Sequence, residues 1–139
     1  MKTLTAEWVD KAEGDFHSCL REVRARRYPN PDSACFHAQQ CVEKYLKSRL
    51  QEAGLAFPKT HDLLDLLKRV LAVEPAWTAL NLQLTQLVSY AVVFAIRGFR
   101  PARRMRGRLW HPAAWCAEPF GKAWASRTEA ARASSTRLR

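Results

Sequence analysis

Along residues 35–46 the apolar positions Cys35, Ala38, Val42, Tyr45 and Leu46 fall on one side of a helical wheel, while His37, Gln40, Lys44 and Lys47 fall on the other. A period of 3.6 residues sustained this long commits the segment to an amphipathic core helix. The next residues end that helix and start another. Gly54 suits a left-handed C-cap, Pro58 keeps its predecessor out of the helical region, and Thr60 can cap a second helix rich in leucine.

The same periodicity recurs on both sides of this hairpin. Trp8, Ala12, Phe16, Cys19, Leu20 and Val23 repeat at three- and four-residue intervals, predicting a first helix over Leu4–Arg27 that Tyr28-Pro29-Asn30-Pro31 stops. Asp32 or Ser33 is expected to cap the second helix, which runs to about Ala53. The third is predicted over His61–Leu71, with Leu63, Leu64, Leu67, Val70 and Leu71 inward, and the fourth opens at Pro75 and carries Trp77, Leu80, Leu84, Leu87, Val88, Ala91 and Val92. Four amphipathic helices with short connections point to an all-α, antiparallel up-and-down bundle. No strand pattern or internal repeat competes.

A chain of 139 residues with 47% apolar residues suits one domain able to bury a core unaided. Met1–Asp10 lacks the apolar run of a signal peptide, and no apolar stretch approaches the roughly 20 residues of a bilayer span, so a cytoplasmic protein without membrane contact is expected. Cys19, Cys35 and Cys41 occupy core-type helical positions and Cys116 stands alone; no pair has metal-ligand spacing. Reduced thiols and no metal or cofactor are the expectation.

Charge divides the chain. Residues 1–94 hold 12 Lys and Arg against 11 Asp and Glu, whereas residues 95–139 hold 11 against 2, and ten of those cations are Arg. Trp110, Trp115 and Trp124 are interleaved with them, which superficially matches a single-strand binding surface. Past Phe94, however, Gly98, Pro101, Gly107, Pro112, Pro119 and Gly121 punctuate too often for a long helix, and the apolar period disappears. Two units are expected: a bundle over 1–94 and an Arg/Trp-rich, poorly ordered tail over 95–139.

The run Phe36-His37-Ala38-Gln39-Gln40-Cys41-Val42-Glu43-Lys44-Tyr45-Leu46-Lys47, then Gly54, then Phe57-Pro58-Lys59-Thr60-His61-Asp62-Leu63, resembles the HEPN domain family over residues 5–94. Members carry a run close to F-H-A-Q-Q-x-x-E-K-x-L-K, a Gly turn and F-P-x-T-H-D-L. The resemblance implies a HEPN-type helical bundle of the short prokaryotic form that commonly dimerises. It further implies a role in nucleotide or RNA biology, often beside a minimal nucleotidyltransferase in a toxin–antitoxin pair. It also implies a short R-Y-P-like turn and a final helix, neither of which is legible after Phe94.

A lost base accounts for that departure. A frame reading TTC-CGC-TAT-CCG-GG, for F-R-Y-P-G, becomes TTC-GCT-ATC-CGG-G on deletion of one C, which encodes Phe94-Ala95-Ile96-Arg97 and begins a Gly codon. In the restored frame the codons at Trp110, Trp115 and Trp124 end in TG and encode Leu, Val or Met; Cys116 after Trp115 forces Val, and Phe120 forces an apolar residue. Positions 110, 116, 120 and 124 fall within about a third of a helical turn, a stripe of core width. Residues 95–139 are therefore expected to be translated out of frame, with the final helix lost or replaced; the competing reading is a natural basic tail.

Several residues invite chemistry. Arg106 and His111, or Arg104 and His111, have the spacing of the R-x4-6-H motif of the family's ribonuclease branch, where a histidine moves the ribose 2′-OH proton and an arginine stabilises phosphate charge. Arginine is so dense there that some Arg precedes any His at an allowed distance, and Gly107 and Pro112 suit a helix poorly. His37, Gln40, Lys44 and Lys47 form a polar stripe able to meet phosphate or bases, against the simpler reading of a solvated face with Glu43–Lys47 as an i,i+4 pair. Phe36 beside it is a candidate dimer contact. His61 and Lys59 lie at the third helix's N-terminus, within reach of a phosphate there or of a neighbouring helix. Arg21, Arg24, Arg26 and Arg27 cluster at the end of the first helix, where the dipole favours cations and RNA contact is the alternative. The leading expectation is a non-catalytic nucleotide- or RNA-associated bundle; the alternatives are a metal-independent endoribonuclease and an inert frameshifted remnant.

Overall fold

The computed structural model describes residues 2–97, and the side chains of residues 2–90; Arg106, His111 and the expectation of an out-of-frame, poorly ordered tail fall outside the described residues. Among the described residues four α-helices form the bundle: α1 Thr3–Arg24, α2 Pro31–Ala53, α3 Leu63–Val70 and α4 Asn81–Arg97, the last preceded by a 3-10 turn over Pro75–Leu80. No strand occurs among the described residues.

The helix α2 sits at the centre, packed along α1 and also against α3 and α4. Small side chains make the α1–α2 approach close: Ala12 and Cys19 of α1, and Ala34, Ala38 and Cys41 of α2, are buried to 1% exposure or less. The two run antiparallel, since Lys2 binds the end of α2 while Glu22 accepts the Asn30 N–H at the other end. Leu46, Leu50, Leu66, Leu67, Leu84 and Leu87 are the largest fully buried side chains, joining α2, α3 and α4. Burying each leucine contributes about 2–3 kcal/mol.

Local chemistry sets the helix ends. Asn30, with Pro31 at the first helical position, caps α2 by accepting the Ser33 N–H at 3.1 Å, in place of the Asp32 or Ser33 read from sequence. Gly54 adopts φ 72° and closes α2, its N–H bonding the Gln51 carbonyl and the Leu55 N–H reaching back to Leu50 at 2.9 Å. Lys2 adds its ammonium to the Gln51 carbonyl at 3.2 Å, a cation at the negative end of the dipole. The third helix is shorter than expected because Asp62, not Thr60, is its cap: the carboxylate accepts from Leu64 N and Asp65 N at 2.9 and 3.1 Å. Thr60 instead accepts the Asp62 N–H.

Candidate functional site

The polar stripe of α2 is not a solvated face. Most of the ionisable groups of α2 are buried or half-buried between it and its neighbours, and each cluster is centred on a carboxylate, Asp15 of α1 or Glu43 of α2 itself. In the α1–α2 seam, Asp15 holds two cationic or polar partners: His37 Nδ1 lies 2.9 Å from one carboxylate oxygen and the Lys44 ammonium binds the other. The Asp15 side chain is only 13% exposed. Donation from Nδ1 fixes the ring and leaves Nε2 as the nitrogen open to another partner. Next to Lys44 the Tyr45 hydroxyl donates to Glu13, adding a further α1–α2 tie.

The second cluster joins three elements. Glu43 accepts from Lys47 Nζ at 2.6 Å through one oxygen and meets His61 Nδ1 at 2.9 Å through the other. The Glu43 and Lys47 side chains are 6% and 8% exposed, whereas His61, ahead of α3, is 82% exposed. The Lys47 ammonium also lies 5.7 Å from the centre of the Trp8 ring, and Phe57 packs edge-on to that indole at 6.3 Å. A buried ammonium is thus matched by one carboxylate and one aromatic face, the compensation it needs away from water. A third pair, Arg49 Nε to Glu74 at 2.7 Å, ties α2 to the residue before the 3-10 turn.

The remaining sequence candidates are dispersed. Gln40 is half-buried on α2, and Lys59 is exposed in the α2–α3 loop. Phe36 is 56% exposed and stands edge-on to His37 at 5.4 Å. The structure therefore brings His37 and Lys44 together on Asp15, and Lys47 and His61 together on Glu43, as two separate ion clusters. Sequence reasoning missed Asp15, Glu13, Trp8 and Glu74, the partners that decide what the stripe does. The available signal was the antiparallel register, which puts Glu13 and Asp15 level with α2's basic residues.

Cys19, Cys35 and Cys41 are buried free thiols. Burial pushes Cys19 up to about 12, helped by negative charge on Cys35, Cys41 and Glu22, and burial with Asp32 does the same to Cys35. Such thiols are poor nucleophiles and poor ligands. Among the described residues no group of three or more His, Cys, Asp or Glu side chains is arranged to hold a metal ion, and no helix is long and apolar enough to cross a membrane.

A helical bundle with this motif at the α2–α3 hairpin defines a class, and comparison with known families names it. The HEPN domain family matches residues 5–98, and the chain belongs to that family. No curated protein and no solved structure gives a match.

Proposed function

We propose that this HEPN protein is a non-catalytic, nucleotide- or RNA-associated component that acts as a cytoplasmic homodimer and pairs with a minimal nucleotidyltransferase in a toxin–antitoxin arrangement. The carrying observation is how the motif uses its ionisable groups. His37 and Lys44 bind Asp15 of α1, His61 ahead of α3 meets Glu43, and Lys47 pairs with Glu43 within α2, so these charges are taken up inside the bundle. Phe36, large, apolar and exposed beside that seam, supports the dimer contact.

The test is incubation of the purified full chain with single-stranded and structured RNA in EDTA, alone and with a co-expressed nucleotidyltransferase. Intact RNA together with stable co-purification is expected. Cleavage that disappears in His111→Ala would replace this reading with the endoribonuclease that uses Arg106 and His111. A Phe36→Glu variant that elutes as a monomer, against a dimeric parent, supports the dimer contact. The division into a bundle over 1–94 and an out-of-frame tail over 95–139 is likewise a proposal; the encoding DNA around codon 94 decides it, and a lesion there favours the inert remnant.

A further inference from the structure

The turn between α1 and α2 combines three features that the ion clusters do not use. Tyr28 is 96% exposed and its backbone has φ 49°, the single non-glycine residue of positive φ among the described residues. A bulky residue in that region is strained, and the residue before a proline, as Tyr28 is before Pro29, ordinarily sits in the extended region. Nothing is gained in packing, since the ring meets solvent. Glycine or asparagine at this position would turn the chain without strain, so the ring itself is what the strained conformation presents.

Arginine surrounds it. Arg21, Arg24, Arg26 and Arg27 are all exposed, and none forms an ion pair with a carboxylate among the described residues. Among the described residues Arg21 donates to the neutral Ser18 hydroxyl at 2.9 Å and not to a carboxylate. Glu22, the nearest acid on α1, is occupied by the Asn30 N–H at 3.3 Å, which leaves Asp32 as the exposed carboxylate of the turn's far side. The helix dipole explains Arg21 and Arg24 in the last turn of α1, but Arg26 and Arg27 lie beyond its end. Continuous with the turn through Ala25 is an open cavity of about 370 Å³ lined by His17, Leu20, Arg21, Arg24 and Ala25. Its lining combines aliphatic Leu20 and Ala25 with two guanidinium groups and an imidazole, flat polar groups on which a base can lie.

We propose that the α1–α2 turn is a docking site for single-stranded nucleic acid: one base stacks on Tyr28, a neighbouring base enters the cavity beside Leu20, and Arg21, Arg24, Arg26 and Arg27 neutralise the intervening phosphates. An exposed aromatic ring flanked by unpaired arginines is the combination that such strands require, stacking for the bases and charge for the backbone. The site deepens the nucleotide- or RNA-associated reading and requires neither the dimer nor the nucleotidyltransferase.

The experiment is fluorescence anisotropy with the full chain on oligouridylate, oligothymidylate and an abasic strand of equal length, at a series of salt concentrations. Tyr28→Gly removes the ring and the backbone strain together, so its thermal midpoint by circular dichroism should stay at or near the parent's while binding to the base-bearing strands weakens at least fivefold. Tyr28→Phe keeps the ring and should bind within twofold of the parent. The abasic strand should not distinguish Tyr28→Gly from the parent. The double variant Arg26→Ala/Arg27→Ala should reduce the steepness of log K against log salt by about 1.4, some 0.7 for each phosphate no longer neutralised. Equal weakening on RNA and DNA identifies a site that reads stacked bases and phosphate; loss on RNA alone identifies one that also reads the ribose. Parent-like binding by both Tyr28→Gly and the arginine double variant overturns the site while leaving RNA association standing. No binding of any strand by the parent overturns both.

Discussion

The cations of α2 and those of the α1–α2 turn are the same residue types put to opposite ends. Lys44, Lys47 and Arg49 each rest on a carboxylate, Asp15, Glu43 and Glu74, inside seams where their side chains are 21%, 8% and 11% exposed. Arg21, Arg24, Arg26 and Arg27 project into water without a carboxylate partner among the described residues. The difference is one of surroundings. Where helices close over a long basic side chain, desolvation demands a counter-charge and the pair becomes part of the fold; where the chain turns at the bundle's end, water stabilises the charge and leaves it available to a polyanion.

The contrast should break most visibly at Glu43. Glu43→Ala strands a nearly buried Lys47 ammonium without its carboxylate, and the denaturation midpoint should fall by the equivalent of about 3–5 kcal/mol. The Glu43→Leu/Lys47→Met double variant should recover much of that loss, because replacing both partners removes the desolvation problem along with the attraction. A single variant as stable as the parent would show that water reaches Lys47 and that the seam is open.

The buried thiols of α1 and α2 give a smaller, pH-dependent effect. Cys19 and Cys35, raised to about 12 in the folded protein, keep their protons between pH 9 and 12 while the unfolded chain releases them. The unfolded state then binds fewer protons, so stability is fully present below pH 9 and falls as pH rises above it, by about 1.4 kcal/mol per thiol per pH unit. Urea titrations at pH 8, 9 and 10 on the parent and on Cys19→Ala/Cys35→Ala isolate this term: the double variant should show the shallower decline.

Asp62→Ala removes the carboxylate that accepts two N–H groups at the start of α3, and the cost read from the thermal midpoint should be about 1 kcal/mol. The same measurement on Thr60→Ala should give less, which sharpens the assignment of the cap. Smallest of all, Arg26→Ala and Arg27→Ala should each change stability by no more than about 0.5 kcal/mol, as exposed unpaired residues do. A larger loss would mean that the turn is built into the fold after all and would erase the distinction from α2.

Much of the bundle was legible because helical periodicity is a local property of the chain. Cys35, Ala38, Val42, Tyr45 and Leu46 were read as one inward face, and all five are buried. The ends were less legible. Asp62 and Thr60 are both good caps two residues apart, and which one acts depends on where the α2–α3 loop delivers the chain. Pro75 opens a 3-10 turn and not α4 itself, since the three-residue spacing of Trp77 and Leu80 suits either helix type. Leu66, left out of the inward set read for α3, is fully buried because α3 is enclosed on more than one side.

The candidate site was half-legible for the same reason. Sequence alone placed His37, Lys44 and Lys47 on one stripe, and placed Phe36 and the arginine cluster at the surface, because spacing along a helix fixes direction around it. It could not decide whether the stripe met water, phosphate or another helix. That depended on α1 lying antiparallel across α2, which brings Asp15 to His37 and Lys44, and on the α2–α3 loop, which brings His61 to Glu43. Nor could any residue pattern announce that Tyr28 holds a left-handed backbone with its ring in solvent. Periodicity and caps are decided within a few residues along the chain; the partner of a charge and the conformation of a turn are decided by what the packed helices bring next to it.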